Sequence, residues 1–417
     1  MAPASAAACR HLPLAAIICL GFALRYYWWL EYPVVDSPDA LLYLREAGNL
    51  FSTGAIASTV CMPLYPALIL LAGANGIIVL QLALSTATIY LGYRIACDAW
   101  FSRTAGLVAA FLLAVHPMLI YYATFRLTET IFIFLVLTGF AAIYRNQIAV
   151  AAIAFVLANL MRPTLDLFLP VIVIAGTFAT IARPSLREIA RRLGVFALVY
   201  CVLMAPWGVH NYRKYHQFVR LNLATGISMI LENNEQFERY GLDWSKLTPW
   251  VPFAGIADPI EQSAAMRSAA IAYIRANPSA WLRGDFDRLK RFLTPSDLSY
   301  NKFQVRISAI LLILVVAGAL ASLLDSSAWR RRLPLWLPIV LLSAATLSFH
   351  ALPRYRLPLD PLLIILASGS LSGIGYLFCR MIEQRVAPFW APLEGNAARA
   401  SDRIKAVEGS LPPHNIA

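Results

Sequence analysis

Asp36 and Asp39 stand either side of Ser37-Pro38, and Tyr43 follows Asp39 at the i+4 spacing that puts two side chains on one helix face. Glu129 follows Arg126 at the start of an apolar run, where a helix N-terminus favours an anion. Arg25, Arg126, Arg162, Arg354 and Arg356 each lie at the end of an apolar stretch. Carboxylates of this kind can exchange protons, and guanidinium groups can hold an anionic ligand by charge-assisted, bidentate contacts. Each residue also has a plainer reading. Ser37-Pro38-Asp39 is a helix-capping sequence, Arg126 and Glu129 can form a structural pair, and a lone arginine beside lipid can snorkel. His116-Pro117 marks a helix end, and His350 reads as a buried polar residue near a helix terminus unless it takes part in chemistry.

The elements that must position these residues are membrane helices. The hydrophobic share of 59% exceeds the roughly 45–50% of a soluble domain. Charged residues fall to 14%, and the mean hydropathy is +0.63. Runs such as Gly76–Ile95 and Leu357–Phe378 reach the roughly 17–25 residues that cross a bilayer. The first run, Leu12–Leu30, ends in Arg25-Tyr26-Tyr27-Trp28-Trp29, an aromatic belt with no small-residue cleavage site, and therefore reads as a transmembrane helix rather than a signal peptide.

Lys+Arg 35 against Asp+Glu 23 leaves a net charge of +12. The basic residues cluster in alternate short loops, at Arg94/Arg103, Arg145, Arg183/Arg187/Arg191/Arg192, Arg330/Arg331/Arg332 and Arg380/Arg385. That is the mark of cytoplasmic loops, so the charge reads as topology and nucleic-acid binding is excluded. The six cysteines have no CxxC or paired spacing, which supports neither a zinc site nor a disulfide framework.

Ten spans alternate consistently, at about residues 12–31, 75–96, 104–122, 128–145, 147–161, 164–182, 193–210, 304–324, 333–350 and 356–379. The fifth is short, and Pro163 interrupts the longer apolar stretch between it and the sixth. The expectation is one all-α integral membrane domain over 1–379, with both termini cytoplasmic and a loosely ordered cytoplasmic tail at 380–417. Two segments, 32–74 and 211–303, are too long to be turns and fall on the other side. In the first, Ala40–Leu50 and Pro63–Leu71 read as short helices lying against the membrane. In the second, Asp258-Pro259 opens a helix to about Arg275 and Asn277-Pro278 opens another. The latter can place Trp281, Leu282, Phe286, Leu289 and Phe292 opposite Arg283, Arg288 and Lys290, as in an interfacial helix.

On this topology the five arginines are anomalous, because they stay on the non-cytoplasmic side with Asp36, Asp39 and Glu129. Ionisable groups near lipid are costly unless paired or functional. As a set, the arginines point to a shared anionic ligand.

At these residues the chain resembles the GT-C glycosyltransferases of the dolichyl-phosphate-mannose–protein mannosyltransferase and aminoarabinose transferase type. The resemblance runs over roughly 30–380 as separated short motifs. Asp39-Ala40-Leu41-Leu42-Tyr43-Leu44-Arg45-Glu46-Ala47, Thr53-Gly54 and Pro63-Leu64-Tyr65-Pro66 resemble the family's first external loop. His116-Pro117 followed by Arg126-Leu127-Thr128-Glu129-Thr130 is similar to its second. Leu160-Met161-Arg162-Pro163-Thr164 looks like the arginine-proline motif, and Ala205-Pro206-Trp207-Gly208-Val209-His210-Asn211-Tyr212 like the segment opening the large loop. Arg354-Tyr355-Arg356-Leu357-Pro358-Leu359-Asp360-Pro361 is similar to the start of the last helix. The chain departs from the family at Ala40, where a Glu often follows the Asp, and at His210, where an Arg often precedes Asn-Tyr.

The resemblance implies a GT-C-like bundle of about ten transmembrane helices in the inner (plasma) membrane, with the active site facing the periplasm or exterior. The implied reaction moves a hexose or pentose from a polyprenyl-phosphate carrier to a hydroxyl on a glycan, lipid or protein, with inversion. Asp39 is carried over as the base, with Asp36 and Glu129 as the other candidate catalytic carboxylates. Arg126, Arg162, Arg354, Arg356 and Arg25 are the implied donor-phosphate contacts. Tyr43, Tyr65, His350, Tyr355 and Asn211 are the implied substrate contacts. A divalent cation is compatible with such a site and not required by a monophosphate leaving group. Two other classes compete: a lipid or polysaccharide transporter or flippase, and a non-catalytic GT-C-like subunit of an envelope-glycan assembly complex, which the missing Glu at position 40 keeps open. A transporter predicts charged groups at mid-membrane on broken helices and some internal symmetry, whereas the carboxylates here cluster in an external loop.

Overall fold

The computed structural model describes residues 4–32, 34, 36–243, 245–295 and 302–376. The described residues of the first compact unit, 1–369, are helices and connecting loops. Of the second, 370–417, the described part is 370–376, the end of an apolar helix; the expected tail at 380–417 lies outside the described residues.

Among the described residues, six helices are long and apolar enough to cross a membrane, and four shorter apolar helices fall within the other expected spans. The long ones are α1 (Ala4–Glu31), α3 (Leu64–Trp100), the run Pro163–Thr180, α9 (Leu186–Tyr215), α14 (Lys302–Ala321) and α15 (Trp329–Phe349). The shorter ones are α4 (Arg103–Val115), α6 (Glu129–Tyr144), α7 (Ile148–Met161) and α17 (Asp360–Tyr376). The chain is thus a multi-pass membrane protein. Small residues let helices approach closely: a Cβ on Gly139 of α6 would sit 2.7 Å from the Phe155 ring of α7, so α6 and α7 pack backbone against aromatic face.

The departures from even spans are instructive. The third expected span breaks at His116, whose side chain accepts from the Leu119 amide and caps the short α5 (Pro117–Tyr122). Pro163 ends α7 and starts a 3-10 turn, Pro163–Phe168, before α8 (Leu169–Thr180), because its ring excludes the preceding residue from helical geometry; Arg162 is extended, with φ −154°. The expected short helix at Pro63–Leu71 is continuous with the next span, bent at Gly73, whose φ of 77° only glycine adopts cheaply.

In the segment after α1, Ser37 caps α2 (Pro38–Thr53) by accepting from the Ala40 amide, Pro38 occupies its first turn, and Gly54 closes it in the left-handed region. Asp39 therefore lies inside the first turn rather than at the cap. The large loop carries α10 (Ala224–Ile230), α11 (Glu235–Tyr240), α12 (Pro259–Ala276, capped by Asp258) and α13 (Pro278–Phe292). On α13, Leu282 and Phe286 are exposed as an interfacial face requires, but Arg288, expected on the polar side, is buried. It donates to Asp285 at 2.7 Å and lies 3.8 Å from the buried Glu232. Burial is affordable because both carboxylates face it.

Candidate active site at the helix ends

The loop joining α2 to α3 is held from both sides. Glu46, buried on α2, accepts from the Ala57 amide at 2.7 Å. Lys214, at the end of α9, donates to the carbonyls of Ile56, Ala57 and Ser58 at 3.1, 2.7 and 3.0 Å, and Asn222 donates to that of Val60 at 2.7 Å. Beneath it Ile56, Cys61 and Met62 pack with Val156 and Leu160 of α7 and Met204 and Trp207 of α9. This clamp fixes one wall of a cavity of about 510 Å³.

The other walls come from chain ends that meet there: Asp39 and Tyr43 of α2, Thr128 and Glu129 at the start of α6, and Arg162 to Thr164 between α7 and the 3-10 turn. Thr225 and Ser228 of α10, Leu342, Ala345, Thr346 and Phe349 of α15, His350, and Arg354 and Tyr355 of the short α16 (Pro353–Arg356) close it.

Two ion pairs face this space. Arg354 donates to Asp39 at 2.7 Å, and Arg162 donates to Glu129 at 2.7 Å. The Tyr355 ring lies between them, with each guanidinium carbon 5.2 Å from its centroid. The pairs differ in burial: the Asp39 side chain is 42% exposed and that of Glu129 3%. Glu129 Oε2 and Arg354 Nε are buried without a hydrogen-bond partner. Burial alone would lower the Arg354 pKa, but Tyr355, Glu129 and Asp39 together raise it, so the guanidinium stays charged. Burial, reinforced by the Glu129 charge, raises the Tyr43 pKa above the usual phenol value, which keeps Tyr43 a hydrogen-bond donor.

Asp39, Glu129, Arg162, Arg354, Tyr43, His350 and Tyr355 therefore come together, although the sequence spreads them over more than half the chain. Asp36, Arg126, Arg25, Arg356, Tyr65 and Asn211 do not line the cavity. Arg126 forks onto both Asp36 oxygens at 2.8 and 2.9 Å and also donates to Ala74 O at 2.7 Å and Asn75 Oδ1 at 3.1 Å, pinning the bend at Gly73. The alternative pairing of Arg126 with Glu129 does not form. Arg25 is fully buried, donating to Ser85 Oγ at 2.7 Å and to the carbonyls of Gly21, Ala114 and Leu113. It closes the C-terminal end of α4. Arg356 donates to Asp360 at 2.9 Å and to Thr294 O at 3.0 Å. Tyr65 is buried, donates to Gln81 at 2.6 Å, and stacks edge-on under Tyr43 at 5.0 Å. Asn211 donates to Val219 O and Leu221 O, both at 2.8 Å, shaping the turn after α9.

Sequence reasoning missed Glu232. It is buried and touches His350 Nδ1, Arg291 and Arg288, so it orients a residue of the cavity wall from the large loop. No motif around Leu231-Glu232-Asn233 marks it; Arg288 and Arg291 on α13 were the available signal. Cys61 also lines the cavity, and burial, together with the charges of Glu46 and Asp39, pushes its thiol up to about 12, so it is unreactive as a nucleophile. Among the described residues there is no cluster of three His, Cys, Asp or Glu that could hold a metal. Asp39 and Glu129 are the carboxylates that line the cavity, and each is already neutralised by an arginine.

No family model matches the chain, and no curated protein matches it by sequence. Solved structures do. The oligosaccharyltransferase of Archaeoglobus fulgidus in its apo form superposes with a TM-score of 0.56 over 90% of this chain and 52% of that one, at 12% identity. The oligosaccharyltransferase AglB from Archaeoglobus fulgidus, in complex with an inhibitory peptide and a dolichol-phosphate, gives 0.53 over 97% of this chain and 52% of that one, at 11% identity. The chain has a GT-C-like membrane fold. It spans about half the length of the archaeal enzymes it matches. ArnT from Cupriavidus metallidurans bound to undecaprenyl phosphate aligns over 92% of this chain and 80% of that one, with a TM-score of 0.41 and 14% identity.

Proposed function

We propose that this chain is a glycosyltransferase that takes a sugar from a polyprenyl-phosphate carrier and passes it to a hydroxyl acceptor, with inversion. The observation that carries the reading is the cavity in which two arginines flank one tyrosine ring and each faces a carboxylate. The fold shared with an enzyme crystallised with a dolichol-phosphate supports the same donor class.

In this mechanism the acceptor oxygen attacks the anomeric carbon while the bond from that carbon to the phosphate oxygen breaks. Asp39 takes the hydroxyl proton, and the carrier leaves as a phosphate monoester. Arg354 and Arg162 stabilise the charge that grows on the leaving phosphate. Tyr43 donates a hydrogen bond from its phenol to the bound sugar. A single displacement by one base inverts the anomeric centre. The protein sits in the inner membrane with both termini cytoplasmic and the segments 32–74 and 211–303 outside, which brings the cavity to the periplasmic face; the arginine alternation supports that orientation.

Purified protein supplied with a polyprenyl-phosphate-linked sugar and an envelope acceptor should release free polyprenyl phosphate and give a product of inverted anomeric configuration. A panel of such donors left intact, or a product of retained configuration, overturns the reading. Cysteine labelling should reach 211–303 from outside and the loops at about 97–103, 183–192 and 325–332 from the cytoplasm; the opposite pattern overturns the orientation.

A further inference from the structure

The two ion pairs of the cavity are not equivalent. Glu129 is 3% exposed and Arg162 17%, so that pair is embedded and breaking it would strand a buried carboxylate. Asp39 is 42% exposed and Arg354 22%, and water can solvate either partner once they part. Asp39 needs no arginine to hold its place, because α2 is fixed by the Ser37 cap and by Gly54. Arg354 has capacity to spare: its Nε is buried and without a partner, and one face of the guanidinium rests on Tyr355. One pair is built to stay and the other is free to part.

Resting on the function proposed above, we propose that Asp39–Arg354 is an exchange pair: the phosphate of the incoming lipid-linked sugar takes Arg354 from Asp39, and so releases the carboxylate as a base. While the pair is closed, the Asp39 oxygen that would receive the acceptor proton is occupied by the Arg354 guanidinium at 2.7 Å. Charge balance fits the exchange. The donor phosphodiester carries one negative charge and Asp39 another. As the acceptor oxygen bonds to the anomeric carbon and the bond to phosphate breaks, the acceptor proton goes to Asp39 and the phosphate leaves with both charges. Negative charge passes from Asp39 to phosphate, and Arg354 follows it, while Arg162 remains a fixed second cation on Glu129. Before the donor enters, Arg354 occupies Asp39.

The test is equilibrium binding of polyprenyl monophosphate, with no sugar attached, to the purified full chain in lipid nanodiscs. Asp39→Asn should lower transfer steeply yet bind the lipid more tightly, by about 2–5-fold, the scale of releasing a partly exposed charged pair. Asp39→Ala should act in the same direction, which covers failure of either variant to fold. In an Arg354→Ala background Asp39→Asn should no longer change affinity. A gain that survives in that background is plain charge repulsion and overturns the exchange. Equal or weaker binding by both Asp39 variants, with wild type binding normally, also overturns the exchange and leaves the proposed transferase standing. Wild type that does not bind the lipid overturns both.

Discussion

The five arginines at the ends of apolar stretches divide into two groups. Arg25, Arg126 and Arg356 are consumed by the fold: their donors go to backbone carbonyls, to Ser85 or Asn75, or to Asp36 and Asp360. Arg162 and Arg354 line a cavity, and each has one carboxylate partner there. An arginine near lipid must be compensated in either case. What separates the groups is whether compensation uses up the guanidinium. In the first group the fork is filled by fixed partners, whereas Arg354 keeps a buried nitrogen unfilled beside open space. Charge anomaly alone locates costly residues, and spare donor capacity locates the ones available to a ligand.

The comparison is sharpest at the two aspartates. Asp39→Asn should lower transfer by about 10²–10⁴-fold, the contribution of a positioned base, with the melting temperature nearly unchanged because Ser37 and not Asp39 caps α2. Asp36→Asn should instead cost about 1–3 kcal/mol of stability, since it disturbs the Arg126 fork, while turnover per folded molecule persists. The reverse result exchanges their roles. Next in size, Arg354→Ala should reduce transfer by about 10²–10³-fold with little loss of stability, because the Asp39 it abandons is partly solvated.

Arg162→Ala separates the two pairs in another way. It should lose a similar share of activity but also about 3–5 kcal/mol of stability, because Glu129 is left buried and unpaired. Changing Glu129 to Gln in that variant should recover much of the stability and none of the transfer. Arg25→Ala should destabilise by about 2–5 kcal/mol through orphaned carbonyls and a void, with turnover of the surviving folded protein at the wild-type level. The smallest effect is expected of Arg331→Ala, whose guanidinium lies on Phe101 and donates to Asp98 O, at the opposite end of α15 from the cavity residues. Thermal unfolding and donor turnover on the same preparations check all of these.

The fold was largely legible because a membrane helix is written locally: length, hydropathy and flanking arginines mark each one. Its interruptions were half legible. Pro163 and His116-Pro117 announce breaks, but the bend at Gly73 depends on a left-handed backbone that the apolar run around it conceals. Seven of the thirteen residues singled out from the sequence line the cavity, and nothing in the sequence separates them from the six that do not. Arg25 meets Ser85 and Leu113 across 60 and 88 positions, and nothing at either end of those separations encodes the contact. The pairing of Glu129 with Arg162 rather than Arg126 depends likewise on how α6 and α7 pack. Glu232 was invisible because its importance comes from its partners on α13 and beyond α15.

Photo-crosslinking tests the proposed donor site most directly. A polyprenyl phosphate with a photoreactive group in the isoprene unit next to the phosphate should label residues 39–43, 161–164 and 350–358, with labelling suppressed by excess unmodified lipid. Label falling instead around Arg25 and the end of α4, or label that excess lipid does not suppress, would contradict the assignment of this cavity as the donor site.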